Sequence, residues 1–261
     1  MYLGVDIGSS SSKAVILDEG GNIAGQAVIN IGTGSRGPQK VIEEALSQAG
    51  IERTQIARTV VTGYGRMTFE GADKQITEIS CHAKGVSAVA PDARTIIDIG
   101  GQDAKVISID ELGNVKNFVM NEKCAAGTGR FLEVMGRVLD TTIDGLSDMA
   151  ERGVEGVTIS STCTVFAESE MISQLAAGKK IEDVALGAHK SIAQRVAGLV
   201  NRIGISPEVV LSGGVALNES VIRALEKELG YDIIRLKSPQ TMGALGAAIY
   251  AMGLDKNGTE A

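Results

Sequence analysis

At 261 residues, 44% hydrophobic and 22% charged, the chain is a folded protein with room for one large domain or two modest ones. A net charge of −7, with no Lys/Arg run and no basic stripe interleaved with aromatics, argues against nucleic acid as a partner. The opening "MYLGVDIG" is no secretory leader and no apolar stretch approaches the ~20 residues of a membrane span, so the expected setting is cytoplasmic, where three cysteines stay reduced.

In chain order, apolar runs predict a strand over 2–8, a small-residue turn, a second strand over 13–18 and a third over 22–29 after Gly21-Asn22. Apolar spacing of helical period predicts helices over 38–50 and 74–90. A boundary near Pro91 opens a second set: strands over 95–101, 105–110 and 114–120, then helices over 128–140, 164–178 and 181–203. A strand over 209–211, a helix from about Ala216 to 229 and a closing helix over 241–252 complete the series. The expected architecture is α/β in two lobes, 1–91 completed by about 240–261, and 92–239.

The lobes are built alike. Residues 6–23, "DIGSSSSKAVILDEGGNI", align without a gap on residues 98–115, "DIGGQDAKVISIDELGNV". Asp6/Asp98, Ile7/Ile99, Gly8/Gly100, Lys13/Lys105, Asp18/Asp110, Glu19/Glu111, Gly21/Gly113 and Asn22/Asn114 are identical.

A strand that ends in Asp-x-Gly and enters a small-residue turn has a use beyond reversing the chain. Gly8 and the hydroxyls of Ser9, Ser10, Ser11 and Ser12 can meet a phosphate, with Lys13 as a point charge. Asp6 and Asp98 at two strand ends can hold Mg²⁺ through water. In the second copy Gly100 and Gly101 form the turn, and either Gln102 or Asp103 can orient an attacking water. A third element, "PEVVLSGGVALNESV", runs a strand into Gly213 and Gly214 and then a helix, so that a nucleotide can lie against bare backbone beside Ala216. No Walker loop or Rossmann fingerprint occurs.

In order and content, "DIGSSSSKAV", "DIGGQDAKV", "VVLSGGVALN" and the closing "SPQTMGALGAAIYA" resemble the motifs of the acetate and sugar kinase, Hsc70 and actin superfamily. The resemblance spans essentially the whole chain. It implies a duplicated ribonuclease-H-like fold with ATP or ADP and Mg²⁺ between lobes, and it places Gln240 near the adenine. Phosphotransfer and ATP-driven cycling both occur on such folds, so fold alone does not decide activity.

Cys124 in "NEKCAAGTGR" and Cys163 in "SSTCTVFAE" belong to no CxxC pair, and both are expected near helix N-termini, where anionic sulfur is favoured. Buried apolar filler, a structural zinc site and a redox disulfide are alternative uses for such thiols. A cubane iron–sulfur cluster takes four thiolates, and two chains about a two-fold axis would supply them. Cys81, beside His82 in a predicted helix, reads as an ordinary cysteine.

"KCAAGTGRFLE" and "STCTVFAESE", set between the second phosphate motif and the adenosine motif, closely resemble the activators (component A) of 2-hydroxyacyl-CoA dehydratases, particularly the 2-hydroxyglutaryl enzyme, and the ATPase subunits of benzoyl-CoA reductase. That resemblance implies an oxygen-sensitive homodimer of amino-acid fermentation with one [4Fe–4S] cluster on Cys124 and Cys163 of both subunits. It further implies ATP hydrolysis that drives an electron from ferredoxin or flavodoxin to the dehydratase, component D. A sugar or acyl kinase with Asp98 or Asp103 as base, and an actin-like or chaperone-like switch with structural cysteines, are the competing expectations.

Overall fold

The computed structural model describes residues 1–34, 36–160 and 163–256. The chain begins with β1 (Tyr2–Ile7), β2 (Ser12–Leu17), β3 (Ile23–Ile29), α1 (Gly37–Ala49), β4 (Arg58–Thr62), β5 (Lys74–Gln75) and α2 (Glu78–Val89). It continues with β6 (Thr95–Ile99), β7 (Ala104–Ile109), β8 (Val115–Asn121), α3 (Gly129–Val138), α4 (Ile143–Arg152), α5 (Thr164–Ala176) and α6 (Ile181–Ile203). Last come β9 (Val209–Ser212), α7 (Glu219–Leu229), β10 (Ile233–Ile234) and α8 (Met242–Lys256).

Two compact units result. Residues 1–94, 109–116 and 236–261 make the first, and 95–108 with 117–235 the second. Each holds a five-stranded sheet, β3-β2-β1-β4-β5 in one and β8-β7-β6-β9-β10 in the other, which is the same order twice. β1 runs antiparallel to β2 and parallel to β4, and β6 likewise to β7 and β9. This is the ribonuclease-H-like, actin-type topology, duplicated.

The duplication extends to single bonds. Asp18 N–H donates to Asn22 O at 2.9 Å and Asp110 N–H to Asn114 O at 2.9 Å. Each aspartate then accepts from its asparagine's own N–H, at 2.8 Å in both hairpins. Gly21 and Gly113 take φ of 83° and 76°, the left-handed backbone that this turn demands. Asp18 and Asp110 are both held below the ordinary carboxylate range, chiefly by the asparagine side chain.

The core of the first unit packs Leu3, Val5 and Ile16 of the sheet against Val41, Ile42 and Ala45 of α1. α8 closes the other side, with Ala244, Ala247, Ala248 and Ala251 buried. In the second unit Phe131, Leu132 and Met135 of α3 join Ile192 and Val196 of α6 over Ile97, Val106 and Leu211. Phe131, Leu132 and Met135 thus make up the buried face of α3.

Two expected helix starts are corrected. The segment 74–90 opens with β5 and becomes helical only at Glu78, because Thr77 takes the cap and accepts from Ser80 N–H. The expected helix start near Ala216 is a 3-10 turn over Gly214–Leu217; α7 starts at Glu219 after Asn218, whose side chain accepts from Val221 N–H at 2.9 Å. α4, β4 and β10 add elements that periodicity did not mark. Among the described residues no helix is long and apolar enough to cross a membrane.

Candidate functional site

In the first unit β1 carries Asp6 to the mouth of the turn, where Gly8 N–H donates to Ser11 O at 3.0 Å. Ser9 and Ser11 are half-buried and Ser10 is exposed. Ser12 faces inward: as the first residue of β2 it is fully buried and its hydroxyl donates to Ile31 O at 2.8 Å. Lys13 stands opposite Asp6 in the hairpin register and reaches Asp6 Oδ2 at 3.1 Å. The cation read as a phosphate ligand is therefore also the partner of a buried carboxylate.

Asp6 Oδ1 is buried and has no hydrogen-bond partner among the described residues. Gly63, at φ 85°, lies directly against that oxygen, where a Cβ would overlap it. An orphaned carboxylate oxygen in a cradle of bare backbone fits a hydrated divalent cation. Gly243 of α8 also approaches, its absent Cβ leaving 3.2 Å to Asp6 Oδ2 and 3.0 Å to His82 Nε2. Sequence reasoning set His82 aside and missed Gly63. The signals were the Glu78–His82 spacing of four on α2, which forms at 3.8 Å, and the likeness of "VVTG" to "VLSG".

The second unit repeats the turn: Gly100 N–H donates to Asp103 O at 2.9 Å. Lys105, 1% exposed, bridges Asp98 Oδ2 at 3.1 Å and Asp103 Oδ2 at 2.7 Å, and Ser212 Oγ donates to Asp98 Oδ1 at 2.9 Å. Both Asp98 oxygens thus have partners, so Asp6 fits a hydrated Mg²⁺ better than Asp98 does. Gln102 is exposed at the tip of the turn. Gly213, at φ 86°, packs against the Ile99 carbonyl as Gly63 does against that of Ile7, and Gly214 is exposed beyond it. Ala216 and Gln240 are half-buried, one in each unit. Lys105→Met is expected to cost about 3 kcal/mol, read as a fall in the urea midpoint, because it leaves two buried carboxylates without their shared cation.

From the end of β8, Asn121 Nδ2 donates to Cys124 O at 2.9 Å and to Ala126 O at 3.3 Å, and Thr128 Oγ1 donates to Ala125 O at 2.6 Å. The first amides of α3 then turn to the phosphate turn of the same unit: Gly129 N–H donates to Gly100 O at 2.9 Å and Arg130 N–H to Gly101 O at 2.8 Å. Cys124 consequently sits in the loop before the Thr128 cap, and the expected helix-terminus environment holds for Cys163 alone, the N-cap of α5. Ser161 and Thr162, just before it, lie outside the described residues.

Arg195 of α6 belongs to both thiols. Its side chain packs under Gly127, and its pKa is lowered chiefly by burial, with electrostatic coupling to Cys124 and Cys163 working the other way. Nothing local in the sequence marks this arginine. All three cysteines are free; Cys124 is half-buried, Cys163 exposed and Cys81 buried. Burial pushes the Cys81 thiol up to about 12, against the pull of the Thr62 hydroxyl, which suits a core residue and not a thiolate ligand. Two reduced thiols beside one guanidinium fit half the ligand set of a cubane cluster, with Cys163 open to a second half from outside the chain.

The profile of the BadF/BadG/BcrA/BcrD ATPase family matches residues 3–251. The chain is 55% identical over 252 residues to the activator of lactoyl-CoA dehydratase of Anaerotignum propionicum, covering 96% of this chain and 97% of that protein. It is 50% identical over 250 residues to the (R)-2-hydroxyglutaryl-CoA dehydratase activating ATPase of Acidaminococcus fermentans, covering 95% and 96%. Against the solved activator of the 2-hydroxyisocaproyl-CoA dehydratase from Clostridium difficile with bound ADPNP, the TM-score is 0.96 at 50% identity, covering 100% of this chain and 97% of that one.

Proposed function

The chain belongs to the BadF/BadG/BcrA/BcrD ATPase family, and from that membership we propose that it activates a 2-hydroxyacyl-CoA dehydratase, hydrolysing ATP to give that enzyme an electron at low potential. The lactoyl and glutaryl relatives match at 55% and 50%, which lends no weight to the glutaryl compound expected from sequence, so the reading stops at the 2-hydroxyacyl class. One observation supports it: two backbone hydrogen bonds join the Gly100–Gly101 turn to the first residues of α3, directly after the loop that bears Cys124. A phosphate that shifts the turn therefore pulls directly on the start of α3.

ATP or ADP with Mg²⁺ is the ligand of Ser9, Ser10, Ser11, Lys13 and Gly100–Asp103, with Gly213, Gly214, Ala216 and Gln240 on its nucleoside side. Asp6 holds the hydrated cation. Asp103 is tied to Lys105, which favours exposed Gln102 for orienting the attacking water. A [4Fe–4S] cluster on Cys124 and Cys163 of two copies supplies one-electron chemistry at low potential. Arg195 holds a positive charge beside both sulfurs. The second copy covers α5, whose outward face presents Val165, Phe166 and Ile172 at 65%, 67% and 53% exposure immediately after Cys163. The electron donor is ferredoxin or flavodoxin, and the setting is cytoplasmic.

Anaerobically purified protein is expected to show broad absorbance at about 400 nm and about four irons per dimer. Protein that stays colourless after reconstitution with iron and sulfide, and forms ADP only when a sugar is added, would instead be a kinase of this fold.

A further inference from the structure

The first unit contains a cavity of about 630 Å³ that the proposed nucleotide and cluster chemistry does not use. Small-molecule sites are typically clefts of about 300–1,000 Å³ with apolar walls and a few polar groups that fix orientation. Here the floor is Ile7, Pro38, Ile42, Leu46 and Phe69. The rim carries Arg53, on the short 3-10 turn Arg53–Gln55, together with Glu43 and Glu70. Arg53 makes no ion pair among the described residues, and burial alone pulls its pKa down. An exposed guanidinium without a carboxylate partner among the described residues, beside an apolar lining, suits an anion with an apolar body.

Two wall residues of the cavity adjoin the first phosphate turn. Ile7 immediately precedes Gly8, and Thr33, which also lines the cavity, donates its N–H to Gly8 O at 3.0 Å. Gly65 packs on both of them, its absent Cβ leaving 2.7 Å to Thr33 Oγ1. A molecule that presses on Ile7 and Thr33 therefore presses on the backbone of the turn.

We propose that this cavity binds a small organic monocarboxylate, with its chain on the apolar floor and its carboxylate on Arg53, and that occupancy changes nucleotide affinity through Ile7 and Thr33. Glu43 and Glu70 on the same rim oppose a second negative charge, which selects a monoanion over a dicarboxylate or a phosphate ester. The coupling rests on the reading of Gly8–Lys13 as a nucleotide turn; the binding does not.

Hexanoate is the probe, with hexanol and hexylamine as matched neutral and cationic molecules, read by ligand-detected NMR and calorimetry on the whole nucleotide-free protein. Hexanoate is expected to bind in the millimolar range and hexanol about tenfold more weakly, with Arg53→Gln weakening hexanoate about tenfold and Arg53→Lys retaining most of the binding. Leu46→Trp, which fills the floor from a half-buried position, removes it. With hexanoate saturating, the Kd for ADP shifts by about threefold or more. Equal binding of hexanol, or hexylamine binding that Glu43→Gln removes, overturns the monocarboxylate class, and no binding by any probe overturns the site. Unchanged ADP affinity with hexanoate bound overturns the coupling alone. Absence of ADP binding while hexanoate still binds overturns the nucleotide reading, and the coupling with it, and leaves the cavity assignment standing.

Discussion

Protein carrying Cys124→Ala is expected to purify with under about a tenth of the parent's iron and to transfer no electrons to a dehydratase, while still binding ADP. The thiol is half-buried and its loop is held by Asn121 and Thr128 through backbone carbonyls, so removing the sulfur leaves the local fold in place. In a two-fold dimer one substitution deletes two of the four ligands at once. Cys163→Ala should behave alike. Cys81→Ala should keep its iron and lose about 1 kcal/mol of stability, because that sulfur fills space against α8. Phe166→Glu puts a charge on the exposed face of α5 and should yield an iron-poor monomer. Full iron in Cys124→Ala, or in a monomer, would rule out a cluster shared between copies.

What could be read from the sequence and what could not divide along physical lines. The hairpins were legible because every group that makes them is local: Asp18 and Asn22 are four residues apart, and the pattern occurs twice. The pairing of Lys13 with Asp6 was available too, since a two-stranded register places them opposite each other, yet the lysine was read toward phosphate alone. Helix starts were misplaced where apolar period runs on through a strand or a 3-10 turn and a single cap residue, Thr77 or Asn218, decides the boundary. Ser12 could not be told from its neighbours in a run of four serines; only the inward pleat of β2 distinguishes it. Arg195 was beyond reach, because its meaning arises when α6 passes beneath a loop far away in the chain. Gly63 was missed although the topology makes it the counterpart of Gly213, since its turn lacks the adjacent second glycine.

Gly246→Ala should be the most damaging single methyl in the molecule, lowering stability by about 3 kcal/mol or more, and the melting temperature by about 10 °C. A Cβ at this position would fall on the Cys81 carbonyl of α2, and one on Gly85 of α2 would fall on the Met242 carbonyl of α8. The two helices therefore meet backbone to backbone, and neither has a side chain that can swing aside. Nor can α8 retreat, because Gly4 of β1 lies against the Ala244 carbonyl and Ala248 N–H on its other side. The methyl must displace α8 as a whole. Gly243 travels with it, one turn earlier and against Asp6 and His82, so ADP affinity should fall along with stability. Gly253, in the same helix, has open space where a Cβ would go, and Gly253→Ala should stabilise by up to about 1 kcal/mol through helix propensity alone. Opposite signs from the same substitution about two turns along one helix isolate packing from propensity. If Gly246→Ala melted with the parent, the close contact of α8 with α2 would be wrong.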